Sequence, residues 1–291
     1  IETILDQMQL YDGPKEKRII KNVAAMMFSE HPEKFFPTTQ VDIVVFPKGR
    51  EVDPENFIEV PPIKGPVPMM IRNSLEYLRT NIIKERITKP TDDERSLKVF
   101  NYPFQALEEA VVNALYHRDY KEREPVEITI EPDRISILSY SGPDRSISLE
   151  SLKEANMLRS RRYRNRRLGD FLKELDLTEG RATGIPTIQK KLRENGSPKA
   201  TIETDDSRSY FLIDIPARKD FVQDADKIRE SDIERIKLNV SKMCPRCVQD
   251  MSMNELGLLA ICLLRAQEEI SAQDMLNGID RISFKLKRRK Y

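Results

Sequence analysis

Three side chains able to do chemistry recur at four-residue intervals: Glu109, Asn113 and His117, within Gln105-Ala-Leu-Glu-Glu-Ala-Val-Val-Asn-Ala-Leu-Tyr-His-Arg-Asp-Tyr120. On a helix such residues stack one above the other, so the three share a face. Phe104, Leu107, Val111 and Leu115 share the opposite, core-seeking face. A carboxylate one turn from a carboxamide can do paired work. The carboxylate takes a proton from water, while the amide oxygen holds a hard cation such as Mg²⁺. Ala106 and Ala110 flank the polar face and leave room for a ligand. The same spacing also describes a solvated helix face, and spacing alone does not choose between them.

Two glycine sites follow. Ser139-Tyr-Ser-Gly142-Pro143 ends a strand pattern, and Glu179-Gly-Arg-Ala-Thr-Gly-Ile185 opens a helix. Gly180 and Gly184 ahead of a helix N-terminus let backbone amides approach an anion that the helix dipole favours. A helix end followed by a helix start gives the same string. Between these sites, Arg159, Arg161, Arg162, Arg164, Arg166 and Arg167 surround Tyr163. Such a run can grip nucleic-acid phosphates or reach a triphosphate. It can equally be a solvated run paired with Asp170 and Glu174.

These residues need a scaffold. The pattern predicts a helix over Lys15 to Phe28, a strand over Gln40 to Phe46, a connecting loop over Gly49 to Pro68 and a long helix over Val67 to Lys84. The helix Phe104 to Tyr116 leads to strands at Val126 to Ile130 and Arg134 to Tyr140, joined by a Pro132-Asp133 turn into an antiparallel hairpin. Helices are expected at Leu149 to Asn156, Arg166 to Leu175 and Ile185 to Glu194, and strands at Ala200 to Thr204 and Tyr210 to Ile215. This interleaving predicts an α/β fold of the α+β two-layer sandwich type with a mostly antiparallel sheet. The predicted divisions are a mixed α/β segment with a long helix over 1–90, a central domain over 91–218, a charged linker over 219–250 and a helical tail over 251–291. The tail, ending in Lys285, Lys287, Arg288, Arg289 and Lys290, has the makings of a helix-turn-helix or winged helix.

Composition narrows the function classes. The chain has 291 residues, 33% of them charged, with 49 Lys and Arg against 48 Asp and Glu. The molecule therefore lacks a global field for polyanions, and nucleic-acid affinity must come from local patches. No apolar run approaches the ~18 residues of a membrane span, and no signal-peptide pattern is present, so a cytoplasmic protein without a membrane partner is expected. Cys244, Cys247 and Cys262 fit a reducing compartment. The Cys244-Pro-Arg-Cys247 pair lacks the second pair a zinc ribbon requires. None of the 10 glycines stands in a Walker loop, so no helicase motor is encoded. Beginning at Ile1, the chain reads as cropped, with an upstream domain expected.

Taken in order, the Glu-x-x-x-Asn helix running into His117-Arg118-Asp119-Tyr120, the strand pair ending at Gly142 and the late Thr183-Gly184-Ile185 resemble the GHKL-type (Bergerat-fold) ATP-binding domain. More closely, they resemble its divergent branch in bacterial proteins labelled RecG-related ATP-dependent DNA helicase or transcriptional regulator. The resemblance covers about Glu2 to Pro216 and is most specific over Ala106 to Tyr120. It implies a Bergerat-like central domain with ATP and Mg²⁺ as cofactors, a homodimer, and DNA contacts through an AlbA-type (Schlafen-like) N-terminal domain and a winged-helix C-terminal module. By position it makes Glu109 the general base of a weak Mg²⁺-dependent ATPase and Asn113 the Mg²⁺ ligand. His117 would line the nucleotide site, Gly142 would lie near the base, and Gly180, Thr183 and Gly184 would contact phosphate. Arg159, Arg161, Arg162 and Arg164 are the nucleic-acid or phosphate candidates. The chain departs from the pattern at Ser139-Tyr140-Ser141-Gly142-Pro143, which has no carboxylate before the glycine, and at Arg181-Ala182, where a third glycine is typical. The implied function is an ATP-binding, DNA-associated regulator gated by nucleotide. The alternatives are a pseudo-ATPase scaffold, or a nucleic-acid binder acting through the arginine run without ATP.

Overall fold

Val41, Ile43 and Val45 face one way on a strand whose other positions are half-exposed, and that alternation recurs along most of the central sheet. The structure is a computed structural model that describes residues 2–88, 97–153, 163–178 and 184–222. The expected tail, nearly all of the linker, the cysteines, and Gly180, Thr183, Arg159, Arg161 and Arg162 lie outside the described residues.

In chain order the elements are α1 (Glu2–Gln7), β1 (Tyr11–Asp12), β2 (Ile19–Ile20), α2 (Asn22–Phe28), β3 (Val41–Val45), β4 (Ile58–Ile63), α3 (Val67–Tyr77), β5 (Glu85–Thr88) and β6 (Leu97–Phe100). There follow α4 (Phe104–His117), β7 (Val126–Ile130), β8 (Arg134–Tyr140), α5 (Leu149–Lys153), α6 (Arg166–Glu174), α7 (Gly184–Asn195), β9 (Thr201–Glu203), β10 (Tyr210–Pro216) and α8 (Lys219–Val222). The main sheet has the order β4-β3-β7-β8-β10-β9. Only β3 and β7 run parallel, with Val41 beside Val126 and Val45 beside Ile130. The result is the expected α+β sandwich with a mostly antiparallel sheet. Strands from both sides of residue 90 share this sheet and a single apolar core.

Two expectations fail locally. The helix expected from Lys15 begins only at Asn22, because the β-branched pair Ile19–Ile20 stays extended and pairs with Tyr11–Asp12. The stretch expected as a loop contains β4 despite Pro61 and Pro62. β4 is an edge strand with a register shift opposite Val41/Ile43, a setting in which proline is tolerated. The long helix holds its regular form to Tyr77 and closes in a π-helical turn over Leu78–Ile82.

α4 positions the site. It is buried on more than its expected face: Ala106, Leu107, Ala110, Val111, Val112, Ala114 and Leu115 are all 4% exposed or less. The small alanines let α7 approach closely, with Ile188 and Leu192 buried beneath it. α7 is held at its far end by the Asn195 side chain, which donates to Phe100 O (2.8 Å) and accepts from Phe100 N (3.2 Å). Midway, Gln189 makes the same two-way pairing with the backbone of Ala200.

Candidate functional site

Between the polar face of α4, the start of α7, the loop after β8 and the sheet lies a cavity of about 320 Å³. That is the lower end of the size range of small-molecule sites. Asn113 and His117 from α4 line it, as do Gly142 and Asp144 from the loop, Arg164, and Gly184 at the first position of α7. Ile147, Ile185, Ile188, Phe211 and Ile213 make much of the remainder apolar.

Glu109 stands beside the cavity and is not one of its lining residues. Its Oε1 accepts a hydrogen bond from Asn113 Nδ2 at 3.3 Å, which orients the carboxamide. The helix of α7 begins directly against this pair. A Cβ on Gly184 would lie 2.5 Å from Asn113 Nδ2 and 2.6 Å from Glu109 Oε1. Gly142 is equally constrained, since a Cβ there would lie 2.6 Å from Tyr210 O and 2.8 Å from Arg208 O. Its amide donates to Arg208 O (2.8 Å), and Arg208 Nη2 donates to Ile147 O (2.7 Å), so one residue fixes both ends of the loop.

The last carbonyls of α4 have no partner within the helix. Three consecutive residues some fifty positions on meet this end of the helix. Arg164 Nη1 donates to His117 O (2.8 Å), and Asn165 Nδ2 donates to Tyr116 O (2.8 Å) and Arg118 O (2.7 Å). The Tyr163 ring stacks on Tyr116 (centroids 5.5 Å, planes 8° apart) and on His117 (5.8 Å, 19°). Arg164 also places a cation at the negative end of the helix dipole. Burial, assisted by that guanidinium, pushes the His117 imidazole down to about 4, so the ring lining the cavity is neutral at pH 7.

Sequence reasoning thus placed Asn113, His117, Gly142, Gly184 and Arg164 among residues the fold brings together. It missed Asp144, Asn165 and the role of Arg118. Arg118 is fully buried, and its guanidinium donates to Thr38 O (3.0 Å), Glu122 O (3.2 Å) and Glu124 O (2.6 Å). It ties the α4 terminus to the loop before β3, and its place in His117-Arg118-Asp119-Tyr120 was the only signal.

Residues 124–213 match the family model described as "Putative ATP-dependent DNA helicase recG C-terminal". Glu109, Asn113 and His117 precede the matched stretch. No curated protein matches the chain. Among solved structures, the DIP2311 protein from Corynebacterium diphtheriae is similar at 17% identity with a TM-score of 0.54, over 75% of this chain and 40% of that one. At that identity the likeness is one of fold, and the chain spans less than half the length of the protein it matches. The likeness to the family model thus covers residues 124–213, less than a third of the chain.

Proposed function

We propose that the cavity binds ATP and that the chain belongs to a nucleotide-gated regulator associated with DNA. The observation that carries this reading is the meeting of Asn113 and Gly184 in a cavity with both apolar and polar walls, in a chain whose residues 124–213 match an ATP-dependent family model. The apolar walls suit the purine. The Gly184 and Ile185 amides at the start of α7, where Pro186 offers none, and the Arg164 guanidinium suit the phosphates, because both kinds of donor favour anionic oxygen.

Among the described residues no group of three or more His, Cys, Asp or Glu could hold a metal. The residues still fit Mg²⁺, which is commonly bound by one or two protein oxygens and completed by phosphate and water. With its nitrogen donating to Glu109, Asn113 presents its amide oxygen as that ligand. When bound, the ion would neutralise phosphate charge. Glu109 is the base candidate for any hydrolysis. Its place behind Gly184, outside the cavity lining, favours binding with slow turnover or none, the scaffold reading of the same site. A homodimer, and DNA contacts through the arginine run, the C-terminal region or a further N-terminal module, belong to this proposal as expectations.

Isothermal titration with Mg²⁺-ATP tests it. Saturable heat that Asn113→Ala removes, with melting unchanged, is the expected result. No heat from the folded wild type would overturn it.

A further inference from the structure

α4 and α7 cover one face of the main sheet, and the other face carries a different chemistry. Strand register places Asp42 beside Glu127, Val44 between Glu59 and Thr129, Leu138 between Glu127 and Leu212, and Glu203 beside Leu212. Tyr140 stands opposite Tyr210, and Ser136 Oγ donates to Asp214 Oδ1 at 2.6 Å. All of these residues are half-exposed or exposed, so no described element covers them.

This face is both apolar and acidic. Val44, Leu138, Leu212, Tyr140 and Tyr210 supply the apolar part, and Asp42, Glu59, Glu127, Glu203 and Asp214 the charge. On the described strands Arg134 is the cation of this face, and it is already paired with Asp133 (3.2 Å) and Glu131 (3.6 Å) at the hairpin turn. Lys64 and Arg50 act on Asp42 and Glu127 from the side, and Gln40 donates to Asp42. Even so, both carboxyls lie above their ordinary range. Burial is the main cause for each, aided by Glu59 for Asp42 and by Asp42 and Glu124 for Glu127. Like charges side by side across a sheet are destabilising, so this surface is one that a cation would relieve.

The chain contains the complement. Its last residues read Ile282-Ser-Phe-Lys-Leu-Lys-Arg-Arg-Lys-Tyr291, with apolar Phe284 and Leu286 alternating with Lys285 and Lys287 before three further cations. Net charge is only +1, so acids and bases nearly balance over the whole chain. The stretch between Val222 and Ile282 is long enough in sequence that chain length does not forbid a return to the sheet.

We propose that the run Phe284–Lys290 docks in cis on the open face of the sheet, its cations meeting Asp42, Glu127 and Asp214 and its Phe284 and Leu286 covering Leu138 and Leu212. A run docked there is withheld from phosphate. The proposal does not depend on what the cavity binds.

Zero-length carbodiimide cross-linking of the full chain, read by mass spectrometry, tests it. Isopeptide bonds are expected between Lys285, Lys287 or Lys290 and Asp42, Glu127 or Asp214. They should be lost near 1 M salt, where the screening length falls to about 3 Å. The link to Asp214, whose carboxylate is untouched, should also be lost in Asp42→Asn/Glu127→Gln with melting preserved. A mixture of isotopically heavy and light chains should give links within one copy only. Links to other carboxylates, links solely between copies, links indifferent to the double substitution, or none at all would each overturn it.

Discussion

Gly184 at the start of α7 lies so close to Asn113 that a single added methyl carbon would sit 2.5 Å from its Nδ2. The atoms in the way are ends of flexible side chains, Asn113 and Glu109, and not backbone. They can swing aside at little cost to the fold, but the pair then loses its orientation. Gly184→Ala is therefore expected to shift the melting temperature by less than about 2 °C. It should weaken Mg²⁺-ATP binding at least tenfold, or about 1.4 kcal/mol. Equal affinity in titration would show that the glycine serves only helix packing.

Gly142 makes the opposite prediction. There the obstructing atoms are the carbonyl oxygens of Tyr210 and Arg208, which β10 and the loop hold in place. Gly142→Ala must move backbone, an overpacking cost of about 1–3 kcal/mol. That corresponds to a fall in melting temperature of about 2–12 °C for a domain of this size. A melt within 1 °C of wild type, by calorimetry, would contradict the tight packing of this loop.

Arg118 bears on stability through its five donors. Its guanidinium is fully buried, with carbonyls as acceptors and Thr39 Oγ1 at 3.5 Å. Lysine offers three donors from one point and cannot span the same set. Replacing Arg118 with Met leaves several carbonyls unpaired, at about 1–3 kcal/mol for each one buried. Urea denaturation of Arg118→Met should show a loss of about 2–4 kcal/mol, with Arg118→Lys recovering less than half.

How much of this was legible beforehand follows the range of the interactions. α4, β7 and β8 announce themselves because their burial has a local period: Leu107, Val111 and Leu115 at helix spacing, Val126, Ile128 and Ile130 at strand spacing. β4 hides because an edge strand tolerates Pro61 and Pro62, residues that read as a loop. The cavity is half legible for the same reason. Asn113 and His117 share a helix face that can be drawn from the sequence, whereas Asn165 reaches Tyr116 across 49 positions and Arg118 reaches Thr38 across 80. No local pattern encodes such pairings. Glu109 shows the remaining gap: spacing put it on the polar face, but only the approach of Gly184 decides that it stands beside the cavity and not within its lining.

His117 gives a pH dependence of known sign. Its folded value is pushed down to about 4, first by burial and then by Arg164, from an ordinary value of 6.5. Between these values the unfolded chain takes up a proton that the folded chain refuses. Stability contributed by the neutral ring is thus complete above about pH 6.5 and is lost progressively as pH falls toward 4. The chain has only 2 histidines, so His31→Asn leaves a single imidazole to follow by NMR. Its ring signals should hold their neutral-form shifts down to pH 5. If they titrate near 6.5, the imidazole is not enclosed by Tyr163 and Arg164 in solution. A second arm separates the ring from the rest of the fold. In His117→Asn the decline in urea midpoint between pH 6.5 and 4.5 should become shallower, because the proton-linked share has gone. A slope unchanged by the substitution would assign acid sensitivity to the carboxylates instead.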